Sequence, residues 1–241
     1  MNYINDFINV QVMAIKNTFK RFRYIIIVAF VIIAGSLAIN VVSNLLGGLM
    51  PTGSMSIVIG TAIYLLELFV LSIIMSVLTV SIKENTSLSS FISLNNTQIF
   101  YKLIQIGFIF YIANLALGLM GLSKIYIIVY PALLILFNAT PETIYLENYD
   151  GIGTIIKSVE FLKNNIINWV IPNVVIFGVI YLLNINYILP FGMYFEKDIK
   201  SVLIVFGKIV VYSIFLIYRG NLFEILNGSS MRKREYMRKF K

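Results

Sequence analysis

Glu67 and Lys208 are ionisable residues set inside long apolar stretches, and membrane chemistry would first be sought there. They stand roughly 16 Å and 10 Å from the outer ends of those stretches, at about 1.5 Å per helical residue. A Lys side chain spans several ångströms, so the two groups could meet. A charge at the centre of a bilayer costs at least about 2.5–3.5 kcal/mol on insertion scales, which argues against leaving either unpaired. Two readings follow. One is a proton or ion pathway; the other is a structural arrangement, in which the groups pair or Lys208 reaches outward to the headgroups. A second set of carboxylates, Glu142, Glu147, Asp150 and Glu160, clusters between the fourth and fifth apolar stretches. Two of them could hold a divalent cation through oxygen ligands. A solvated cytoplasmic rim accounts for them as well, and no metal site is expected. The chain has no His and no Cys. Imidazole general-base chemistry, thiol nucleophiles, disulfides, Cys/His zinc sites and thiolate-bound iron–sulfur clusters are therefore excluded. There is no phosphate-binding Gly-rich loop and no GxSxG elbow. We expect neither catalytic residues nor a cofactor.

The elements that must position these groups follow from composition. Of 241 residues, 59% are apolar and only 12% charged, with a mean hydropathy of +0.88. A soluble domain carries about 25% charged residues. The expectation is an all-α polytopic membrane protein, since helices satisfy their own backbone in lipid. Six stretches approach the roughly 20 apolar residues needed for a span: 24–46, 56–82, 103–122, 125–146, 166–189 and 202–218. They form a six-helix domain over 1–222, with an interfacial helix at 1–20 and a basic cytoplasmic tail at 223–241. Pro131 interrupts the fourth stretch, and Thr140-Pro141-Glu142 reads as a new helix start, with Thr140 as N-cap and Glu142 at the positive end of the dipole. The fifth carries Pro172, where a bend is expected. Ser36-Leu37-Ala38 lies within an uninterrupted apolar run, so the first stretch reads as a retained anchor rather than a cleaved leader.

Lys and Arg placement orients the spans. With both termini cytoplasmic, that side collects Lys16, Lys20, Arg21, Arg23, Lys83, Lys102, Lys157, Lys163 and Arg219. The tail adds Arg232, Lys233, Arg234, Arg238, Lys239 and Lys241, making fifteen in all. The opposite side has only Lys124, Lys197 and Lys200. The tail's six basic residues, interleaved with aromatics, read as contacts to anionic lipid headgroups worth about 1 kcal/mol per charge; nothing independent supports nucleic acid as a partner.

Segments before the odd-numbered spans have amphipathic spacing suited to the headgroup plane. In the first, Ile4, Phe7, Ile8, Val12, Ile15, Phe19 and Phe22 form one stripe. In the second, Leu88, Phe91 and Ile92 do so more briefly, and in the third Ile152, Ile155, Ile156, Val159 and Leu162 do so. Each enters a span through similar polar sequence: Lys16-Asn17-Thr18-Phe19, Asn95-Asn96-Thr97-Gln98 and Lys163-Asn164-Asn165-Ile166. The pattern is consistent with three repeated hairpins, although the abundance of Asn offers chance similarity as the alternative.

The stretch from Tyr130 to Trp169 runs through Tyr130-Pro131, Ala139-Thr140-Pro141-Glu142, Lys157-Ser158, Asn164-Asn165 and Trp169. It resembles a group of bacterial six-helix membrane proteins that includes the YciC-like proteins and the membrane domain fused to some glycerophosphodiester phosphodiesterases. Pro131, Glu142, Lys157, Ser158, Asn165 and Trp169 match the pattern of that group. The resemblance covers about 40 residues and implies a bacterial inner-membrane protein of the same architecture. It brings no catalytic residues.

The expected function is that of a non-enzymatic membrane protein in envelope or lipid homeostasis, or a membrane partner subunit. The alternative is a permease subunit paired with a cytoplasmic ATPase, for export or self-immunity. Orientation is directly checkable, because a chain without Cys accepts single labels. In intact cells an impermeant maleimide should label Thr52→Cys, and should reach Ser89→Cys and Ser230→Cys only after lysis.

Overall fold

The computed structural model describes residues 3–47, 54–83, 88–119, 133, 135–183 and 199–228. Among them all regular structure is helical: α1 (Tyr3–Lys20), α2 (Phe22–Gly47), α3 (Ser54–Lys83), α4 (Leu88–Leu119), α5 (Thr140–Leu146), α6 (Gly151–Leu182) and α7 (Ile199–Gly228). Four candidate spans are long and apolar enough to cross a membrane: Phe22–Leu46, Val58–Lys83, Gly151–Leu182 and Lys200–Gly228. They cover the expected first and sixth spans entirely, the second from 58 onward and the fifth as far as 182. The first part of the expected fourth span, through 132 and with Pro131 included, lies outside the described residues, as does the basic tail from 229 onward.

The apolar helices are not apolar to fill a core alone. On α2, Ile26, Phe30, Leu37, Val41 and Leu45 are exposed along one face, while Ile25, Val28, Ala29, Ile32 and Ile39 are buried on the other. An apolar strip of that length facing water would be an anomaly for a soluble protein, and facing lipid it is ordinary.

The chain divides into two compact units. One contains Met1–Lys20, Tyr101–Val174 and Tyr218–Lys241, and the other Arg21–Phe100 and Val175–Ile217. In the second unit α2 packs on α3. Arg21 donates to the Ile82 carbonyl at 2.9 Å, placing a cation on the final turn of α3, where unpaired carbonyls concentrate negative charge. Three hydroxyls buried in these apolar helices are satisfied within their own turns: those of Ser36, Ser76 and Thr79 donate to the carbonyls of Ile32, Ser72 and Met75.

In the first unit, α1 has three distinct faces. Val10, Ala14 and Thr18, spaced by four, are buried, whereas Ile4, Ile8, Val12, Ile15 and Phe19 of the expected amphipathic stripe are exposed. Asn5, Asn9, Lys16 and Lys20 occupy the remaining polar arc.

Two local expectations need correction. The helix restart at 140 is real, but Ala139 is the N-cap and no side chain caps it; Pro141 takes its place in the first turn, where a missing N–H costs nothing. The break in α6 falls at Asn165 (φ −132°, ψ 23°), while Pro172 sits in helical backbone. The Asn165 amide donates to the Phe161 carbonyl at 3.0 Å, serving an acceptor exposed by the break. Pro172 is tolerated because the acceptor it cannot serve, the Asn168 carbonyl, takes a hydrogen bond from Gln11 at 3.0 Å. The first of the three polar segments, Lys16–Phe19, lies just ahead of the α1–α2 boundary and the third contains the α6 break, whereas α4 runs as one helix through the second.

Asp150 opens α6: its carboxylate accepts from the Gly153 N–H at 2.6 Å, and its carbonyl from the Thr154 N–H at 2.8 Å. Gly151 meets α4 closely, donating its N–H to Gln105 Oε1 at 2.9 Å. A Cβ there would stand 2.8 Å from Gln105 Cβ, an atom fixed to the helix and unable to swing away. Gly151→Ala should therefore lower stability by about 1–3 kcal/mol, the usual cost of overpacking. Gly178→Ala, which meets nothing within 4 Å, is the control. Thermal unfolding of both variants in the same detergent checks this.

Candidate functional site

The described residues bring the polar and aromatic groups of the first unit together around Arg219. Three short elements supply them. The turn at 137–139 offers Asn138, held by Thr140 N–H to the Phe137 carbonyl at 3.0 Å, and Phe137 packs edge-on against Phe110 of α4 with ring centroids 5.2 Å apart. Helix α5 offers Glu142 from its first turn. Helix α6 offers Ser158 and Phe161 before its break and Trp169 one turn after it.

Arg219, near the C-terminal end of α7, donates through Nε to Glu142 Oε1 at 2.7 Å and through Nη2 to Oε2 at 2.8 Å. Both side chains are buried, with 3% and 2% of their surface exposed. The same Nη2 donates to the Asn138 carbonyl at 2.7 Å. The guanidinium lies over the Trp169 ring at 5.4 Å, and the indole N–H donates to Asn138 Oδ1 at 3.0 Å. Asn138 thus holds the cation with its backbone and the ring with its side chain. Trp169 is closed off from below by Phe161 and Phe223, which stack at 4.3 Å and meet the indole edge-on at 5.2 and 6.1 Å. Beside this, Thr140 donates to Ser158 Oγ at 3.0 Å, both residues buried.

Of the family-like positions, Glu142, Ser158, Asn165 and Trp169 all take part in this centre or shape it. Lys157 does not: it pairs with Glu160 at 3.0 Å on the surface. Glu142 is no part of a solvated rim, because its carboxylate is consumed by Arg219. The other loop carboxylates have separate duties. Glu147 accepts from Asn227, Asp150 caps α6, and Glu160 pairs with Lys157. Among the described residues no group of three His, Cys, Asp or Glu could hold a metal. In the second unit Glu67 and Lys208 form no ion pair with each other.

Arg219 itself was legible only as one of the cytoplasmic charges. The available signal is the apolar spacing that follows it. Leu222, Phe223 and Leu226 are buried, so the last helix does not end at Tyr218 but continues to Gly228 and carries Arg219 inward. Further ties hold α1 to the same region. Tyr218 donates to Gln11 Oε1, Asn221 to Thr18 Oγ1 at 3.3 Å, and Asn168 to Asp6 at 3.4 Å.

These features define a helical protein whose apolar helices suit a membrane and whose buried polar centre is internally bonded. Comparison with known families, curated proteins and solved structures finds no match.

Breaking the pair from one side leaves a buried charge, at a cost of about 3–5 kcal/mol, whereas replacing both partners by apolar groups is often neutral. Glu142→Gln and Arg219→Met should each lower Tm by roughly 10 °C. The double variant Glu142→Leu/Arg219→Met should regain most of that loss. Trp169 is the chain's single tryptophan, so its fluorescence during heating reads this centre directly.

Proposed function

We propose that the chain is a non-enzymatic integral membrane protein of the bacterial cell membrane, crossing it six times with both termini cytoplasmic. Its role lies in envelope or lipid homeostasis or as a membrane partner subunit. The observation that carries this reading is the closure of the Arg219–Glu142–Asn138–Trp169 centre. Its carboxylate, guanidinium and indole are spent on one another, which suits a device that fixes helix geometry better than one that transforms a substrate. The apolar exposed faces of α2 and α1 support the membrane assignment, and the likeness of 130–169 to the YciC-like group supports the bacterial one. Arg232, Lys233, Arg234, Arg238, Lys239 and Lys241 extend the cytoplasmic surface toward anionic headgroups, following the charge asymmetry of the sequence.

Crosslinking in intact cells, extraction in mild detergent and identification of what co-purifies tests the role. Lipid alone, or a single envelope protein, is the expected recovery. A stoichiometric cytoplasmic ATPase would replace this reading with that of a transporter permease.

A further inference from the structure

We propose that α1 is a docking surface for anionic lipid headgroups, seated in the bilayer interface along the line Ile4, Ile8, Val12, Ile15 and Phe19. The inference rests on the membrane reading above and assigns the lipid contact to a definite face of one helix. These five residues are 70%, 50%, 56%, 46% and 59% exposed. The helix cannot roll to hide them. Val10, Ala14 and Thr18 are buried on another face, and Gln11 and Thr18 are bonded to Asn168, Tyr218 and Asn221. The first unit thus holds α1 with its apolar line turned away from the rest of that unit.

Charge complementarity identifies the occupant. Lys16 and Lys20 are exposed on the arc next to the apolar line, where a long side chain can lie along the interface and place its ammonium at a lipid phosphate. The one acid of α1, Asp6, is outnumbered by Lys16 and Lys20, so the charge of the helix is net positive. Chain connectivity agrees. A single residue, Arg21, separates α1 from α2, whose Phe22–Leu46 segment is long and apolar enough to span. The end of α1 must therefore lie where that segment enters the hydrocarbon. A second copy of the chain suits the face poorly. Eighteen residues make a helix about 27 Å long, and a strip about 10 Å wide along it offers roughly 270 Å², against roughly 800 Å² per partner in a stable interface.

Spin labels placed singly on the full chain test this, in phosphatidylcholine vesicles with and without phosphatidylglycerol. Labels at Val12→Cys and Ile8→Cys should collide with oxygen several-fold more than with a water-soluble nickel chelate, and Asn9→Cys should show the reverse. Phosphatidylglycerol should deepen the Val12 label, and Lys16→Gln/Lys20→Gln should abolish that difference. A Val12 label as wet as Asn9 would overturn the lipid contact. A depth unchanged by phosphatidylglycerol would overturn the anionic preference, and spin–spin broadening at Val12 would assign the face to a second copy instead. Phe30→Cys, on the exposed face of α2, separates the two levels of the argument. If it lies in lipid while Val12 lies in water, the docking surface fails and the membrane reading survives; if Phe30 is also wet, the membrane reading fails. Unaltered Trp169 emission verifies that each variant is folded.

Discussion

A guanidinium cannot rest in an apolar interior without full compensation, and Arg219 is where this chain meets that constraint. Its partners come from parts of the sequence far apart. Glu142 lies on a seven-residue helix, Asn138 in a tight turn, and Trp169 beyond a break in another helix. Each of those irregularities would be costly in isolation. Together they bring a carboxylate, a carbonyl and an aromatic face to one cation. The pair need not add net stability, since burying two charges costs about what their attraction returns. What it adds is discrimination: an arrangement that separates Arg219 from Glu142 strands both charges.

The same rule governs the neutral polar groups. A helix in an apolar setting must satisfy every carbonyl within the chain, and the defects here each have an assigned donor. Pro172 withdraws an N–H from the Asn168 carbonyl and Gln11 supplies one. The end of α5 leaves carbonyls at Ile144 and Glu147, and Lys102 donates to both, at 3.3 and 2.8 Å. The end of α3 receives Arg21. In each case the donor is remote in sequence from the defect, so repairing a helix end also ties two segments together. Secondary-structure repair and tertiary contact are a single set of bonds.

This explains what could be read from the sequence and what could not. Hydropathy over 20 residues is a local property, and it located 24–46, 56–82, 202–218 and the described part of 166–189, up to 182, in helices that have spanning length. The restart at Thr140-Pro141 was visible because proline's preference for a first turn is also local. The role of Glu142 was not, since its partner is 77 positions away and an acid in a connecting loop is ordinarily solvated. The break at Asn165 falls where the amphipathic segment gives way to the span from 166, whereas the tolerance of Pro172 was not legible. Proline advertises a lost donor, whereas its rescue by Gln11 depends on tertiary structure. Likewise α1 displayed its apolar stripe plainly, but the narrow Val10–Ala14–Thr18 line opposite it, which sets the direction of that stripe, contains no strongly apolar pattern to notice.

The basic charges have two uses separated in time. In the proposed orientation, Arg21, Lys102 and Arg219 count equally with Lys16 and Lys20 during insertion as residues that resist translocation. In the folded chain they do not remain equal. Arg21 and Lys102 serve helix ends, and Arg219 is buried with Glu142. The count of 19 basic residues therefore overstates the cations available to lipid phosphates. Folding withdraws some of the cations that would orient the chain and leaves others, Lys16 and Lys20 among them, exposed. A charge bias that reads as a single signal in the sequence divides into structural and surface cations once the helices pack.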